Sequence, residues 1–265
     1  MKTAIAIAAH PDDIELTMAG TLLLLKKAGY TIHYLNLSGG NCGGLEHGAE
    51  ELEKIRLAEA KNAARILGAH FHLPFCKDME ILYEVKNLKR LTSVIREVKP
   101  RIVLTHSPED YMEDHTNTCR LAVSASFARG MRNFESKPPF PANNHDCTIY
   151  HALPHTLRDS FRRRIIPGAY VNTTSVHHMK LEALRSHRSQ QNWLGASQKM
   201  NSYLQAMEEA SLEVGKMSSL FKYAEGWRRH LHFGFGGVND DPLKDLGDDY
   251  LINKNYEERL EIGNI

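Results

Sequence analysis

The chain contains 265 residues, enough for one large α/β domain or two small ones with a substantial hydrophobic core. Its 42% hydrophobic and 25% charged residues are ordinary for a globular protein, and a formal net charge of +1 excludes a global field that attracts nucleic acid or anionic lipid. Four widely spaced cysteines without a CxxC pair argue against a disulfide framework or zinc ribbon and favour the reducing cytoplasm.

Short apolar runs alternate with longer segments of helical period, which predicts βα units around a mainly parallel sheet. The predicted strands are 3–9, 31–38, 69–75, 101–106, 147–153 and 168–174. The predicted helices are 14–28, 49–67, 88–98, 116–129, 176–187 and 197–222. Segment 137–146 is predicted to be a loop, and the final stretch, with FGFGG (233–237) and DDPLKDLGDD (240–249), is predicted to be irregular.

Neither an internal repeat nor a low-complexity linker divides the chain. We therefore predict one domain over 1–265, with an α/β core over 1–190 and a helical or irregular C-terminal extension over 191–265. The polar motif reached by residue 10 predicts no signal peptide, and the apolar run TLLLLKK (21–27) is too short to cross a membrane.

Three side chains that resist burial follow the first predicted strand, namely His10, Asp12 and Asp13. In open α/β sheets, ligands bind at the carboxyl ends of the strands. His10 and Asp13, three residues apart in a turn stiffened by Pro11, can share a divalent ion, whereas Asp12 can reach water without being a ligand. The alternative is that either aspartate only caps the next helix.

A catalytic zinc typically has three protein ligands, so a third ligand must come from elsewhere in the chain. The best source is HSPEDYMEDHTNT (106–118), which follows the fourth predicted strand. His115 is the preferred ligand in this segment. His106 is the rival, although at a strand terminus it can equally be packed and hydrogen-bonded.

The quoted motifs resemble the LmbE-like, or PIG-L, family of zinc-dependent N-acetylglucosaminyl de-N-acetylases. AHPDDIEL (9–16) combined with the DH of PEDYMEDHTNTCRLA (108–122) carries the resemblance. RLAEAKNAARILG (56–68), HRSQ (187–190) and KYAEGWR (222–228) resemble further motifs of the family. The resemblance therefore spans most of the chain, and it implies a Rossmann-like three-layer α/β/α fold.

The resemblance also implies the roles of five residues. His10, Asp13 and His115 would bind Zn²⁺, with Fe²⁺ as the alternative, and Asp12 would act as general base. Arg56 matches an arginine that contacts the sugar, whereas without the resemblance a surface ion pair with Glu53 or Glu59 would be an equal interpretation. The implied reaction removes an acetyl group from an amino sugar, and the implied assembly is a homo-oligomer.

One position departs from the family pattern. Many members carry a histidine three residues before the ligand histidine, where this chain has Met112, and a thioether can neither donate a proton nor carry positive charge. His155 and His187 are the first candidates to replace that histidine, followed by the indole or amide groups near Trp193. The alternatives are that both histidines are ordinary packed or surface residues, or that Met112 marks a subfamily with a different substrate pocket. A metal-binding carbohydrate-recognition protein is the competing hypothesis for the whole chain.

The glycine-rich segment SGGNCGG (38–44) follows the second predicted strand. It lacks the GK[ST] of a phosphate-binding loop, so a flexible loop over the metal pocket is the preferred interpretation. Asn41 in this loop is a candidate substrate contact, with a solvated loop as the alternative.

Overall fold

The computed structural model describes residues 2–197 and 203–263. Its centre is an eight-stranded sheet in the order β3-β2-β1-β4-β5-β7-β6-β8. The strands are β1 Thr3–Ala8, β2 Thr31–Asn36, β3 His70–Phe71, β4 Ile102–Thr105, β5 Thr148–Ala152, β6 Ala169–Asn172, β7 Ala224–Arg229 and β8 Tyr250–Ile252.

Nine helices of the described residues surround this sheet. They are α1 Asp13–Thr17, α2 Ala19–Lys27, α3 Ala49–Leu67, α4 Val85–Val98, α5 Glu113–Ala128, α6 His177–Leu184, α7 Arg188–Ser197, α8 Tyr203–Ser218 and α9 Lys254–Ile262. Two 3-10 segments cover Thr174–Val176 and Pro242–Asp249. In the described part of the chain, no helix is long and apolar enough to cross a membrane.

Two apolar layers lie on opposite faces of the sheet because successive strand residues point in opposite directions. Ala4, Ala6 and Ala8 of β1 pack with the helices α2 and α3, whereas Ile5 and Ile7 pack with α4 and α5. Burying each of these isoleucines contributes roughly 1.5–3 kcal/mol. The predicted α/β/α layering is thereby confirmed.

The sheet is parallel on one side and antiparallel on the other. The strands β3, β2, β1, β4 and β5 pair in parallel, while β7 is antiparallel to both β5 and β6, and β8 is antiparallel to β6. Because β7 and β8 come from 224–252, the segment beyond residue 190 contributes to the central sheet as well as carrying helices.

The predicted helix over 14–28 is wrong as a continuous element, because the structure has two helices separated at Met18. The carboxylate of Glu225 accepts hydrogen bonds from the backbone N–H groups of Gly20 and Thr21, at the start of α2. An anionic acceptor at a helix N-terminus satisfies donors that have no intrahelical partner, which stabilises a separate helix there.

Of the helix predicted over 197–222, the structure has α8 over Tyr203–Ser218, so the helix ends four residues earlier than predicted, and residues 198–202 lie outside the described part of the chain. Helix α3 and its end at Gly68, whose φ is 68°, agree with prediction. The strand predicted over 69–75 is reduced to two residues, since β3 is an edge strand with one neighbour and is followed by Pro74.

Candidate active site

The polar segments after β1 and β4 meet at the carboxyl ends of these neighbouring parallel strands. There they border a cavity of about 210 Å³. Its polar lining includes His10, Asp12, Asp13, Arg56, His115 and His155. Its less polar lining includes Met79, Tyr111, Met112, Trp193, Leu194 and Tyr203.

His10, Asp13 and His115 offer ligand atoms that all lie within 4.8 Å of one another. Asp13 lies between the two imidazoles, with its Oδ2 3.4 Å from Nδ1 of His10 and its Oδ1 3.4 Å from Nε2 of His115. Two nitrogens and a carboxylate are a donor set that suits a divalent transition metal such as zinc. The residues present therefore fit the group that the motif implies.

The remaining ring nitrogen of each histidine faces a second carboxylate. Nε2 of His10 lies 2.9 Å from Oδ2 of Asp114, and Nδ1 of His115 lies 3.1 Å from Oδ1 of Asp110. Burial alone would lower the pKa of His10, but the bonds to Asp114 and Asp13 raise it to about 9. Such outer carboxylates fix the orientation of ligand histidines.

Asp12 is a further buried carboxylate that lines the same cavity. It adopts a left-handed backbone conformation with φ of 109°, its side chain makes no helix-capping hydrogen bond, and only 4% of the residue is exposed. Burial raises the pKa of Asp12 to about 6, against the opposing effect of Arg56. The capping interpretation of Asp12 is therefore not supported, and a buried carboxylate is available beside the cluster.

His106 lies against the cluster, stacked on His115 at 4.2 Å between ring centroids. Its Nε2 accepts a hydrogen bond of 2.9 Å from the backbone N–H of Ala9. The geometry of His106, Asp110 and His115 also satisfies the distances of a metal cluster. Because the Nε2 lone pair of His106 is already engaged, His10 offers the freer donor to an ion shared with Asp13 and His115.

Arg56 of α3 is only 2% exposed. Its guanidinium donates to the carbonyl oxygens of Pro11 at 2.8 Å and Gly40 at 3.4 Å. The alternative of a surface ion pair does not hold, since Glu59 instead accepts hydrogen bonds from Ser189. Arg56 thus joins the loop after β1 to the glycine-rich loop at the cavity.

The other candidates occupy different positions. His155 lines the cavity, and burial lowers its pKa. His187 is completely buried outside the cavity lining, with Nε2 3.2 Å from Oε2 of Glu15. Asn41 is not part of the cavity lining either, and its Oδ1 accepts a hydrogen bond of 2.8 Å from the backbone N–H of Asp78.

Several residues of this site were missed by the sequence analysis. Asp110 and Asp114 stand in the quoted DH segment, where their sequence proximity to His115 was the available signal. Asp78 lines the cavity and accepts a hydrogen bond of 2.8 Å from the backbone N–H of Cys42. Tyr203, which donates a short hydrogen bond to Asp12, had no local signal.

A His-Asp-His cluster at the carboxyl edge of a parallel sheet, with a further buried carboxylate beside it, is typical of metal-dependent hydrolases. The sequence profile of the PIG-L family, described as GlcNAc-PI de-N-acetylase, matches residues 5–126. Over 238 residues the chain is 32% identical to diacetylchitobiose deacetylase of Thermococcus kodakarensis, covering 86% of this chain and 83% of the relative. The chain belongs to the PIG-L (LmbE-like) family of deacetylases.

Two further proteins resemble this chain, one in sequence and one in structure. The chain is 29% identical over 202 residues to 4-oxalmesaconate hydratase of Pseudomonas putida, covering 72% of this chain and 75% of the relative. The structure of N,N'-diacetylchitobiose deacetylase from Pyrococcus horikoshii superposes with a TM-score of 0.72 at 24% identity, covering 91% of this chain and 88% of the other. This structural likeness supports the fold.

Proposed function

We propose that the protein is a metal-dependent hydrolase that removes an N-acetyl group from an N-acetylglucosamine-type sugar or glycoside. The observation that carries the proposal is the convergence of His10, Asp13 and His115 around one point, with the Asp12 carboxylate buried beside it. The family and its diacetylchitobiose-deacetylating relative supply the substrate class. Four free thiols fit a cytoplasmic enzyme.

His10, Asp13 and His115 would hold the ion, with Zn²⁺ as the first choice and Fe²⁺ as the alternative. A divalent cation bound there would acidify a water molecule and polarise the amide carbonyl. Asp12 would accept the proton of the attacking water and return it to the leaving amine. In the ion-free protein, burial raises the pKa of Asp12 to about 6, so its carboxylate is a stronger base than that of an ordinary aspartate.

We propose that His155 stabilises the oxyanion in place of the family histidine whose position is taken by Met112 in this chain. It lines the cavity that Met112 also lines, and its lowered pKa keeps the imidazole neutral, so that its N–H can donate to the developing oxyanion. His187 would act on the base indirectly, since it is buried and interacts electrostatically with Asp12.

The amino sugar would lie against Arg56, which lines the cavity, and Asn41 would act at its edge through the glycine-rich loop. We propose no nucleic acid or membrane partner, and a homo-oligomeric assembly remains part of the proposal. A carbohydrate-recognition protein without turnover is less well supported, because binding alone does not require a buried base.

The test combines metal analysis with acetate release from N-acetylglucosamine, its disaccharide and simple glycosides. The wild-type protein should release acetate, and Asp12→Asn should lose a factor of roughly 100 to 10,000 in kcat while retaining its metal. Because one relative is a hydratase, 4-oxalmesaconate is included as a second substrate. Bound metal without acetate release, or hydration of that second substrate alone, would refute the deacetylase proposal.

A further inference from the structure

Tyr203 connects the C-terminal part of the chain with the proposed general base. Its hydroxyl donates a short hydrogen bond to Oδ2 of Asp12, 191 positions away in the sequence. Tyr203 is 2% exposed and Asp12 is 4% exposed, so water does not compete freely for this contact. Hydrogen bonds from a hydroxyl to a carboxylate are among the stronger ones in proteins.

The base needs such a contact because its local backbone does not hold its side chain. Asp12 has a φ of 109°, and its carboxylate makes no bond to the start of α1. Among residues 2–197 and 203–263, only Tyr203 donates a hydrogen bond to this carboxylate. Without it, the carboxylate could rotate about its side-chain bonds, and its distance to a reacting water would vary.

Helix α8 carries the donor at its first residue. Tyr203, Met207, Ser211 and Val214 recur on one buried side of this helix. Tyr203 and Met207 pack with Leu184, which lies outside the cavity, and with Leu194, which lines it, so apolar side chains hold the phenol ring. This support lies well past residue 126, where the match to the family profile ends.

We propose that Tyr203 is a positioning residue that fixes the orientation of the Asp12 carboxylate through Oδ2. The proposal rests on the proposed function for the role of Asp12. With Oδ2 engaged by the phenol, Oδ1 is left as the oxygen that accepts the water proton. Burial and the neighbouring carboxylate raise the pKa of Tyr203 well above its ordinary value, so the phenol stays a donor.

The experiment compares Tyr203→Phe with Tyr150→Phe. Both changes delete a buried hydroxyl that donates to a carboxylate, since the hydroxyl of Tyr150 donates to Oδ1 of Asp241 at 2.6 Å. Tyr150 and Asp241 do not line the active-site cavity. We expect Tyr203→Phe to lower kcat roughly 10- to 100-fold with KM and bound metal unchanged, whereas Tyr150→Phe should leave kcat within twofold.

A double-mutant cycle separates this proposal from the proposed function. If Tyr203 acts through Asp12, Tyr203→Phe should have little further effect on the residual rate of Asp12→Asn, and the two changes should be non-additive in urea unfolding. The unfolding cycle does not need turnover, so it tests the contact even if the wild-type protein releases no acetate. Additive unfolding effects, or an unchanged kcat in Tyr203→Phe, would overturn the proposal.

Discussion

Asp114 lies behind His10, with its Oδ2 2.9 Å from Nε2 of the imidazole and 2.7 Å from the backbone N–H of Met79. The carboxylate therefore holds the ring so that Nδ1 points towards Asp13. We expect Asp114→Asn to weaken metal binding roughly 10- to 100-fold, because an amide orients the histidine less strongly. Competition with a chromophoric chelator measures this affinity. Asp248→Asn, a change at an exposed position, is the control. Equal metal affinities of the two variants would contradict the role of Asp114.

Removal of the metal should lower the stability of the protein as well as its activity. An ion present at about 1,000 times its Kd stabilises the folded state by about 4 kcal/mol, which corresponds to roughly 10 °C in Tm for a chain of this size. Thermal unfolding with and without a chelator measures the shift. Asp12→Asn should retain the full metal-dependent shift in Tm, and His115→Ala should lose it, because His115 is a proposed ligand and Asp12 is not. The reverse pattern would show that the ligands are assigned incorrectly.

Helix α3 and the meeting of the loops after β1 and β4 were predictable from the sequence. The helix Ala49–Leu67 carries a regular apolar stripe and ends at Gly68, which adopts the left-handed conformation that favours glycine. The meeting of His10 with His115 followed from the general rule that loops gather at the carboxyl ends of parallel strands. A local pattern and one topological rule were enough for these two features.

The remaining features depend on contacts between distant segments. The break at Met18 reflects Glu225, whose carboxylate satisfies the start of a second helix 205 positions away. The same applies to Tyr203, which is an ordinary helix residue by its sequence neighbours. No periodicity within 14–28 or 197–222 contains this information, because the partners become neighbours only after the sheet has formed.

The approach of Arg56 to Gly40 predicts a sensitive position in the glycine-rich loop. Gly40 has a φ of +80°, and a Cβ there would lie 2.6 Å from Nε of Arg56, whose guanidinium is tied to Pro11 and Gly40. We expect Gly40→Ala to displace Arg56 and to lower kcat/KM roughly 10- to 100-fold. Gly29→Ala is the matched control, since Gly29 has a φ of +87° with nothing within 4 Å. Comparable kinetics of the two variants would show that backbone strain alone accounts for the effect.

The buried ion pair between Lys180 and Glu225 predicts a large loss of stability when one partner is removed. The two charges are 2.8 Å apart, with 1% and 2% of their side chains exposed. We expect Lys180→Met to lower the free energy of unfolding by about 3–5 kcal/mol, because Glu225 would remain buried without its cation. The surface pair Arg164–Glu213, whose side chains are 39% and 36% exposed, provides the control. Arg164→Ala should cost less than about 1 kcal/mol in the same urea titration. Similar losses in both variants would contradict this dependence on burial.

The histidines at the edge of the sheet predict a pH dependence of stability away from the active site. Burial, together with His72 and His70, lowers the pKa of His33 to about 4, against an unfolded value of about 6.5. Because the pKa of His33 is lower in the folded state, the unfolded state binds more protons between pH 4 and pH 6.5. The contribution of His33 to the stability of the folded state is therefore fully present above pH 6.5 and is lost as the pH falls towards 4. Since His33 is only half-buried, solvent screening reduces the expected loss to about 1 kcal/mol.

Urea unfolding at pH 7 and pH 4.5 should therefore show a smaller decrease in the free energy of unfolding for His33→Gln than for the wild-type protein. His178→Gln, which removes a histidine at an exposed position, should follow the wild-type decrease. Parallel decreases in the His33→Gln and wild-type proteins would show that His33 does not titrate on unfolding in this range.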